Sequence, residues 1–344
     1  MVYILAIVIV LVILVFFTFT PGGARRAQRG LFYGYYYAEN GVTDENDVPN
    51  SKEAFEKCAE NGVGIKVSAY HSEDMKIFLA EKLSVDGTDI TDMNSDILSE
   101  KGFMKLSELL SIVNGRVPII VEIKPTKDND KNCRLVADLI LSYPFGNCAV
   151  ASLHSGTIAW FKHTEKSIFR ILISAPAADF IGLSKTDAFL NGNLLRLSAS
   201  RPQMIVYRNK PLSFLVKFCY AFGASHGTFT ITDSETAKSL EEEMDCMFIK
   251  GFMPRSGKYK DMPVIEMSKA EEEQIKKREE KERRRARKIE IEKIAEEEKR
   301  QKKIARGEKV VDKKAAYLYD EEEFGPLSAS YDEDEEKPHA DNIE

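Results

Sequence analysis

The chain has 344 residues, 43% of them apolar and 30% charged, with a net charge of -6 at pH 7. This length accommodates one large domain plus extensions, and the acidic balance lacks the basic footprint expected of a protein that binds nucleic acid. Five cysteines (Cys58, Cys133, Cys148, Cys219 and Cys246), odd in number and without a CxxC pair, argue against a disulfide framework and a zinc site and for buried free thiols in a reducing compartment.

Residues 1–20 form the first expected element. Positions 2–19 carry no charge and are rich in Ile, Val and Leu, near the lower limit for a helix that spans a bilayer core. A cleaved signal peptide is the competing reading, but nothing basic precedes the run. Arg25, Arg26 and Arg29 follow it within a basic linker, residues 21–30. By the positive-inside rule, the rest of the chain then lies on the cytoplasmic side of a cell membrane crossed once.

From residue 31 to 263 the composition is globular. Residues 53–61 read as a helix with Ala54, Phe55 and Cys58 on one face. Residues 65–70 read as a strand, and 77–79 as part of the next one. An amphipathic helix is expected over 106–113, stopping at Asn114-Gly115. Residues 117–123 are apolar enough for a fully buried strand. Further strands are expected at 149–153, 168–173, 204–207, 227–231 and 246–249. Helices are expected at 133–143, 157–163, 212–222 and 234–243. Eight strand–helix units over this length fit a (β/α)8 TIM barrel, with an open doubly wound sheet as the alternative.

Residues 268–306 are mostly Glu, Lys and Arg, with a few Ile and Ala. A single charged helix is the expectation, about 58 Å long at 1.5 Å per residue. Opposite charges meet at i, i+4 in Glu273–Lys277, and like charges in Glu292–Glu296. Apolar heptads are not sustained, which disfavours a coiled coil. The basic cluster at 283–288 suits a solvated face, or contact with anionic lipid or RNA. Residues 307–344 hold acidic runs at 320–323 and 332–336 and read as a disordered tail.

Tyr37-Ala38-Glu39-Asn40-Gly41-Val42-Thr43-Asp44, followed by Val48-Pro49-Asn50-Ser51, begins an ordered series of motifs. Ala54-Phe55, Gly64-Ile65 and Gly115-Arg116-Val117-Pro118 continue it, with Val121-Glu122-Ile123-Lys124. Val150-Ala151-Ser152-Leu153, Ala159-Trp160-Phe161, Arg201-Pro202 and Gly251-Phe252-Met253-Pro254 complete the series. Over about residues 30–256 this order resembles the glycerophosphodiester phosphodiesterases, in particular bacterial members that begin with a membrane helix. The resemblance implies a TIM barrel and hydrolysis of a phosphodiester with a Ca²⁺ or Mg²⁺ ion. It also implies that three family metal ligands correspond to Lys66, Ser68 and Glu122 here, of which Glu122 alone keeps the carboxylate such ions need. The first family histidine and its phosphate-binding arginine correspond to Glu39 and Asn40. The second histidine corresponds to Ala80 or Leu79, and Lys250 stands where the family has an acid.

One metal ligand of three and neither acid–base histidine is therefore retained, so no residue is assigned as catalytic and no cofactor is expected. His71, His154, His163 and His226 remain for recruitment, with His154, two residues beyond Ser152, the best placed. Lys66, Glu122, Lys124 and Lys250 are expected near the C-terminal strand ends, the functional face of such a barrel. Lys66 either replaces the metal by pairing with Glu122, or turns the mouth positive for a phosphate. The expectation is a membrane-anchored, catalytically inactive binding or scaffolding protein. Its partners would be the membrane through residues 2–19, a phospholipid headgroup or phosphate, and a protein for the charged helix, with no nucleic acid. An active phosphodiesterase with a rearranged site, and a passive barrel that carries a functional helix, are the rivals.

Overall fold

The computed structural model describes residues 26–180, 184–208, 212 and 214–262, with residues 19–23 and positions 3, 9, 10 and 13–15 of the N-terminal run. Most of the expected anchor, the charged helix 268–306 and the tail 307–344 lie outside the described residues. Among the described residues no helix is long and apolar enough to cross a membrane.

Eight parallel strands close on themselves. They are β1 (Tyr35–Glu39), β2 (Gly64–His71), β3 (Ile119–Ile123), β4 (Cys148–Ser152), β5 (Phe169–Ser174), β6 (Met204–Arg208), β7 (Ser225–Ile231) and β8 (Cys246–Ile249). Each pairs with the next, and β8 and β2 both pair with β1, which closes the barrel. Crossover helices follow seven of the strands: α1 (Lys52–Glu60), α2 (Leu106–Val113), α3 (Asn129–Ser142), α4 (Ser155–Thr164), α5 (Lys185–Gly192), α6 (Phe214–Ala221) and α7 (Ser234–Leu240). Strand and helix alternate, as a parallel barrel requires.

The period-two alternation of strands sorts side chains between two cores. Tyr37, Ile120, Ala149, Ala151, Ile171, Val206 and Phe248 fill the barrel interior, sealed at the strand starts by Phe32 stacked 4.7 Å from Phe169. Their neighbours Ile65, Val67, Ile119, Val121 and Val150 face outward to the helices. α1 forms where the sequence predicts it. Ser51 caps its first turn by accepting from the Ala54 N–H at 3.2 Å, and Ala54, Phe55 and Cys58 are buried. Burial of a side chain like Phe55 is worth about 1.5–3 kcal/mol. α2 ends as expected, on Asn114 at φ 46° and Gly115 at φ 77°. A Cβ on Gly115 would lie 2.4 Å from the Phe145 ring, so glycine is needed there for space as well as for backbone freedom.

Two expectations are corrected. Residues 77–79 are not a barrel strand: they fold back antiparallel on β2, with Ala69 opposite Leu79 and His71 opposite Ile77. Five residues separate the two strands, too few for the dozen or so that a parallel crossover needs. The strand that completes the eight is instead β1, which the periodicity did not single out. The helix expected at 133–143 begins earlier, at Asn129, where Asp128 caps it through the Lys131 N–H.

The hairpin supports a small subdomain beside the strand ends. Tyr70, Phe78, Ile90, Met93 and Leu98 form its own apolar cluster. Asp74 ties its turn to a following helix, Ser95–Glu100. Its carboxylate accepts from Ser72 Oγ at 2.7 Å, Ser95 Oγ at 2.6 Å and the Ser95 N–H at 2.9 Å. Hydrogen bonds from Ser95 and then Ser72 hold the Asp74 pKa down to about 2. The chain that leads on to Glu81 is held by the Leu79 N–H, which donates to the Met104 carbonyl at 2.9 Å, and the Ala80 N–H, which donates to that of Ser68 at 3.0 Å.

Candidate functional site

The inward rows of β1, β2, β3, β6 and β8 end in polar side chains above the apolar interior. Tyr37 is followed two residues on by Glu39, Ile120 by Glu122, Val206 by Arg208 and Phe248 by Lys250. Lys66 and Ser68 are the inward pair of β2. Register brings them level: Lys66 pairs with Glu39 across β1–β2, and Ser68 with Glu122 across β2–β3. The sequence thus supplies charged residues at alternate positions, and barrel closure makes them neighbours.

Lys66 lies at the centre. Its Nζ forms a direct ion pair with Glu122 Oε2 and lies 4.0 Å from Glu39 Oε1. Ser68 Oγ donates to the same Glu122 oxygen at 3.0 Å. Lys66 is 8% exposed and Glu122 2%, so neither charge is screened by water. Burial alone would drive both toward neutrality. For Lys66 the carboxylates of Glu122 and Glu39 outweigh burial, and its pKa lies above the ordinary lysine value. For Glu122 burial is outweighed by Lys66 and Lys124 and by hydrogen bonds from Lys66 and Ser68, and its pKa lies below the ordinary value. Both groups remain charged through the neutral range.

Glu81, which sequence reasoning passed over, is the second centre. Its Oε1 accepts from Asn40 Nδ2 at 2.8 Å and lies 3.5 Å from Lys250 Nζ, while its backbone carbonyl accepts from Lys124 Nζ at 2.6 Å. Asn40 is buried in a left-handed conformation, φ 54°, with its Oδ1 unpartnered. Asparagine tolerates this conformation better than most residues. Thr230 Oγ1 donates to both oxygens of Glu39 at 3.3 Å. Arg208, also not singled out from sequence, lies 5.4 Å over the Phe229 ring and 3.4 Å from Asp179. The signal for Arg208 was positional: like Lys250, which the sequence did single out, it follows an inward apolar residue by two.

The four histidines among the described residues do not join this layer. His154 caps the start of α4, 3.4 Å from Thr157 Oγ1, and burial together with the Arg196 charge lowers its pKa. His71 is buried in the β2 hairpin beside the Ser72 carbonyl at 3.0 Å. His226 stacks against Tyr220 (3.9 Å) near the start of β7, at the opposite end of the barrel. His163 is exposed near the end of α4.

The residues present do not fit a Ca²⁺ or Mg²⁺ ion. Such ions take several anionic or neutral oxygen ligands, and here the carboxylate that could bind one is neutralised by an ammonium held in its protonated form. Among the described residues no group of three or more His, Cys, Asp or Glu side chains could hold a metal ion. What the arrangement offers chemically is a set of fixed donors, from Asn40, Lys124 and Lys250, gathered on one carboxyl-bearing residue.

No protein-family model and no curated protein sequence matches the chain. In structure it is similar to a glycerophosphodiester phosphodiesterase from Parabacteroides distasonis, with 16% identity and a TM-score of 0.51, covering 62% of this chain and 92% of that one. A phosphodiesterase from Oleispira antarctica, in complex with the product sn-glycerol-3-phosphate, is similar at 15% identity and a TM-score of 0.52, over 63% and 93%. A glycerophosphodiester phosphodiesterase from Thermotoga maritima gives 18% and 0.51, over 62% and 93%. At these identities the likeness is one of fold.

Proposed function

We propose that this protein, built on the glycerophosphodiester phosphodiesterase fold, has given up hydrolysis and acts as a membrane-anchored binding or scaffolding module. The observation that supports this reading is the buried Lys66–Glu122 ion pair. A lysine ammonium supplies a fixed positive charge to the mouth, as a metal does, but it cannot activate water or expand its coordination. The histidines among the described residues lie elsewhere, and general acid–base catalysis is worth about 10²–10⁴-fold. Neither contribution is provided by the residues gathered around Glu122.

The ligand that suits the mouth is a phosphate, such as that of a glycerophosphodiester headgroup. Asn40 and Lys250 both converge on Glu81 Oε1, and a phosphate oxygen in its place would accept from the same two donors. Charge-assisted bonds of this kind are among the stronger ones. Residues 2–19 are the anchor in this reading, the barrel is cytoplasmic, and residues 268–306 reach a protein partner.

The test is product release from glycerophosphodiesters by the full chain in detergent, with Ca²⁺, Mg²⁺ or Mn²⁺ and with chelator. Background rates throughout are expected. Metal-dependent turnover would refute the loss of catalysis and point to a rearranged site near His154. Retained biological effect after deletion of residues 268–344 separates a functional mouth from a passive barrel carrying an active helix.

A further inference from the structure

The chain that follows the apolar N-terminal run passes down the outside of the barrel, from the mouth toward the opposite end. α6 starts at Phe214, just beyond the end of β6, and descends to Ala221. Phe19 meets it at mid-length, edge-on against Phe218 with ring centres 5.7 Å apart. It is buried there in one apolar cluster with Leu194, Leu197 and Val216. Three residues on, Gly22 donates its N–H to the Pro202 carbonyl at 2.8 Å, already below the start of β6. Gln28 Nε2 donates to the Ser167 carbonyl at 2.6 Å, below the start of β5, and Phe32 then seals the strand starts. The chain therefore arrives at Phe19 from the direction of the mouth. Of the helical positions before it, Ile9, Val10 and Ile13 are exposed.

Apolar side chains are exposed on the mouth rim of the same sector. Phe214, the first residue of α6, is 76% exposed, and Phe189 of α5 is 53% exposed. The end of α5 is tied over the strand ends. Ser174 Oγ donates to the Asn191 carbonyl and the Tyr207 hydroxyl to that of Gly192, both at 3.0 Å. Leu153, just beyond β4 and also exposed, lines a small cavity together with Leu190 and Asn191 of α5. Residues 175–222 contain two acids, and each is paired with an arginine: Asp187 with Arg196 at 2.5 Å, and Asp179 with Arg208 at 3.4 Å. Lys185 and Lys217 are exposed. The sector thus presents apolar side chains and cations, with its carboxylates neutralised.

We propose that this sector of the rim, Phe214 and Phe189 with Leu153, docks into the bilayer interface, so that the mouth faces the membrane. The proposal rests on the reading of residues 2–19 as an anchor. A run of that length barely spans a bilayer core, which sets Phe19 at the boundary of the core. Phe19 packs against the barrel itself, so no spacer separates the domain from the lipid. Phe214 stands one helical turn beyond Phe218 on the mouth side, about 6 Å nearer the bilayer. Exposed apolar side chains at that level settle into the boundary between headgroups and acyl chains, and a patch of them with a polar surround marks such a contact. In this orientation the phosphate that the mouth takes up is a lipid headgroup of the same leaflet.

The experiment is fluorescence quenching of the full chain in nanodiscs of phosphatidylcholine brominated near the glycerol end of its acyl chains. Trp160 is the one tryptophan of the chain, so Phe214→Trp, Phe189→Trp and Leu141→Trp are each combined with Trp160→Phe. Leu141, exposed near the end of α3 at the opposite end of the barrel, is the control. Emission from the Phe214→Trp and Phe189→Trp proteins is expected to be quenched and shifted to the blue, and that from Leu141→Trp to be unchanged. Adding Phe214→Ser to the Phe189→Trp protein should weaken docking about 10- to 150-fold, the worth of one buried phenyl ring, and its quenching should be lost. Quenching of Leu141→Trp, or of none of the three, would overturn the proposal. So would a Phe214→Trp protein that is shielded from bromine and dimeric by mass photometry, which would give the face to a second copy of the chain. Carbonate extraction from vesicles reads the anchor separately. Release of the chain with rim quenching retained would sink the anchor and leave the rim docked, whereas retention with Leu141→Trp quenched would keep the anchor and refute the orientation.

Discussion

Lys66→Met is the substitution that bears most directly on the site. Lys66 and Glu122 are both buried and in direct contact, and Glu122 has Ser68 as its other hydrogen-bonding side chain. Removing one member of a buried pair costs about 3–5 kcal/mol, because the other charge is left without compensation. For a domain of this size that lowers Tm by about 6–20 °C, at roughly 2–4 °C per kcal/mol. Replacing both, as in K66M/E122L, should recover most of the loss, since an apolar pair of similar volume is often neutral or better. Thermal and urea unfolding of the full chain measure all three proteins as a double-mutant cycle.

The pH dependence supplies an independent check. In the native protein Glu122 has its folded pKa below the usual 4.5, so its contribution is present above about pH 4.5 and lost as pH falls through the folded value. Lys66 has its folded pKa above 10.5, so its contribution is complete below that pH and lost as pH rises through the folded value. The pair therefore contributes a plateau across the neutral range. In K66M, burial of Glu122 is opposed mainly by Lys124, its pKa rises, and stability should increase as pH is lowered from 8 toward 5. A loss below about 1 kcal/mol for K66M, or an unchanged pH profile, would refute the account of Lys66 as the centre of the mouth.

Two further variants probe the same layer. Glu81→Gln frees Lys250 from an ion pair in which both partners are more than two-fifths exposed. Such a pair is worth up to about 1 kcal/mol, so inorganic phosphate should bind up to about fivefold tighter by calorimetry; unchanged or weaker binding would remove Glu81 as the group that occupies the anion's place. Lys66→Glu combined with Ser68→Asp sets two new carboxylates beside Glu122. Ca²⁺ or Mg²⁺ at about 100 times Kd should then stabilise the variant by about 2.7 kcal/mol, with no comparable shift in the native chain. An equal response in both would show that Lys66 does not keep a cation out.

Most of the barrel is legible in the sequence because buried strands and amphipathic helices announce themselves by period and by caps. The Val117-Pro118-Ile119-Ile120-Val121 run, Ser51 before α1 and Asn114-Gly115 after α2 are local signals of local structure. Pairing is not local. Residues 77–79 look like a strand from their apolar content, but five intervening residues and a turn pinned by Asp74 make them a hairpin arm. The five buried thiols agree with the expectation of free cysteines.

For the site, sequence determined the charges. Lys66, Ser68 and Glu122 stand on two strands at positions that alternate with Val67 and Val121 and so face the opposite way, inward, and an ammonium among would-be cation ligands is evident before any fold is known. Which oxygen each cation meets was decided by tertiary structure alone. Glu81 sits in an insertion, outside any strand period, and reaches Asn40 and Lys250 because the hairpin folds over the strand ends. Periodicity records which side of an element a residue takes, whereas closing the barrel sets the distance between elements, and it is distance that turns separate charges into an ion pair.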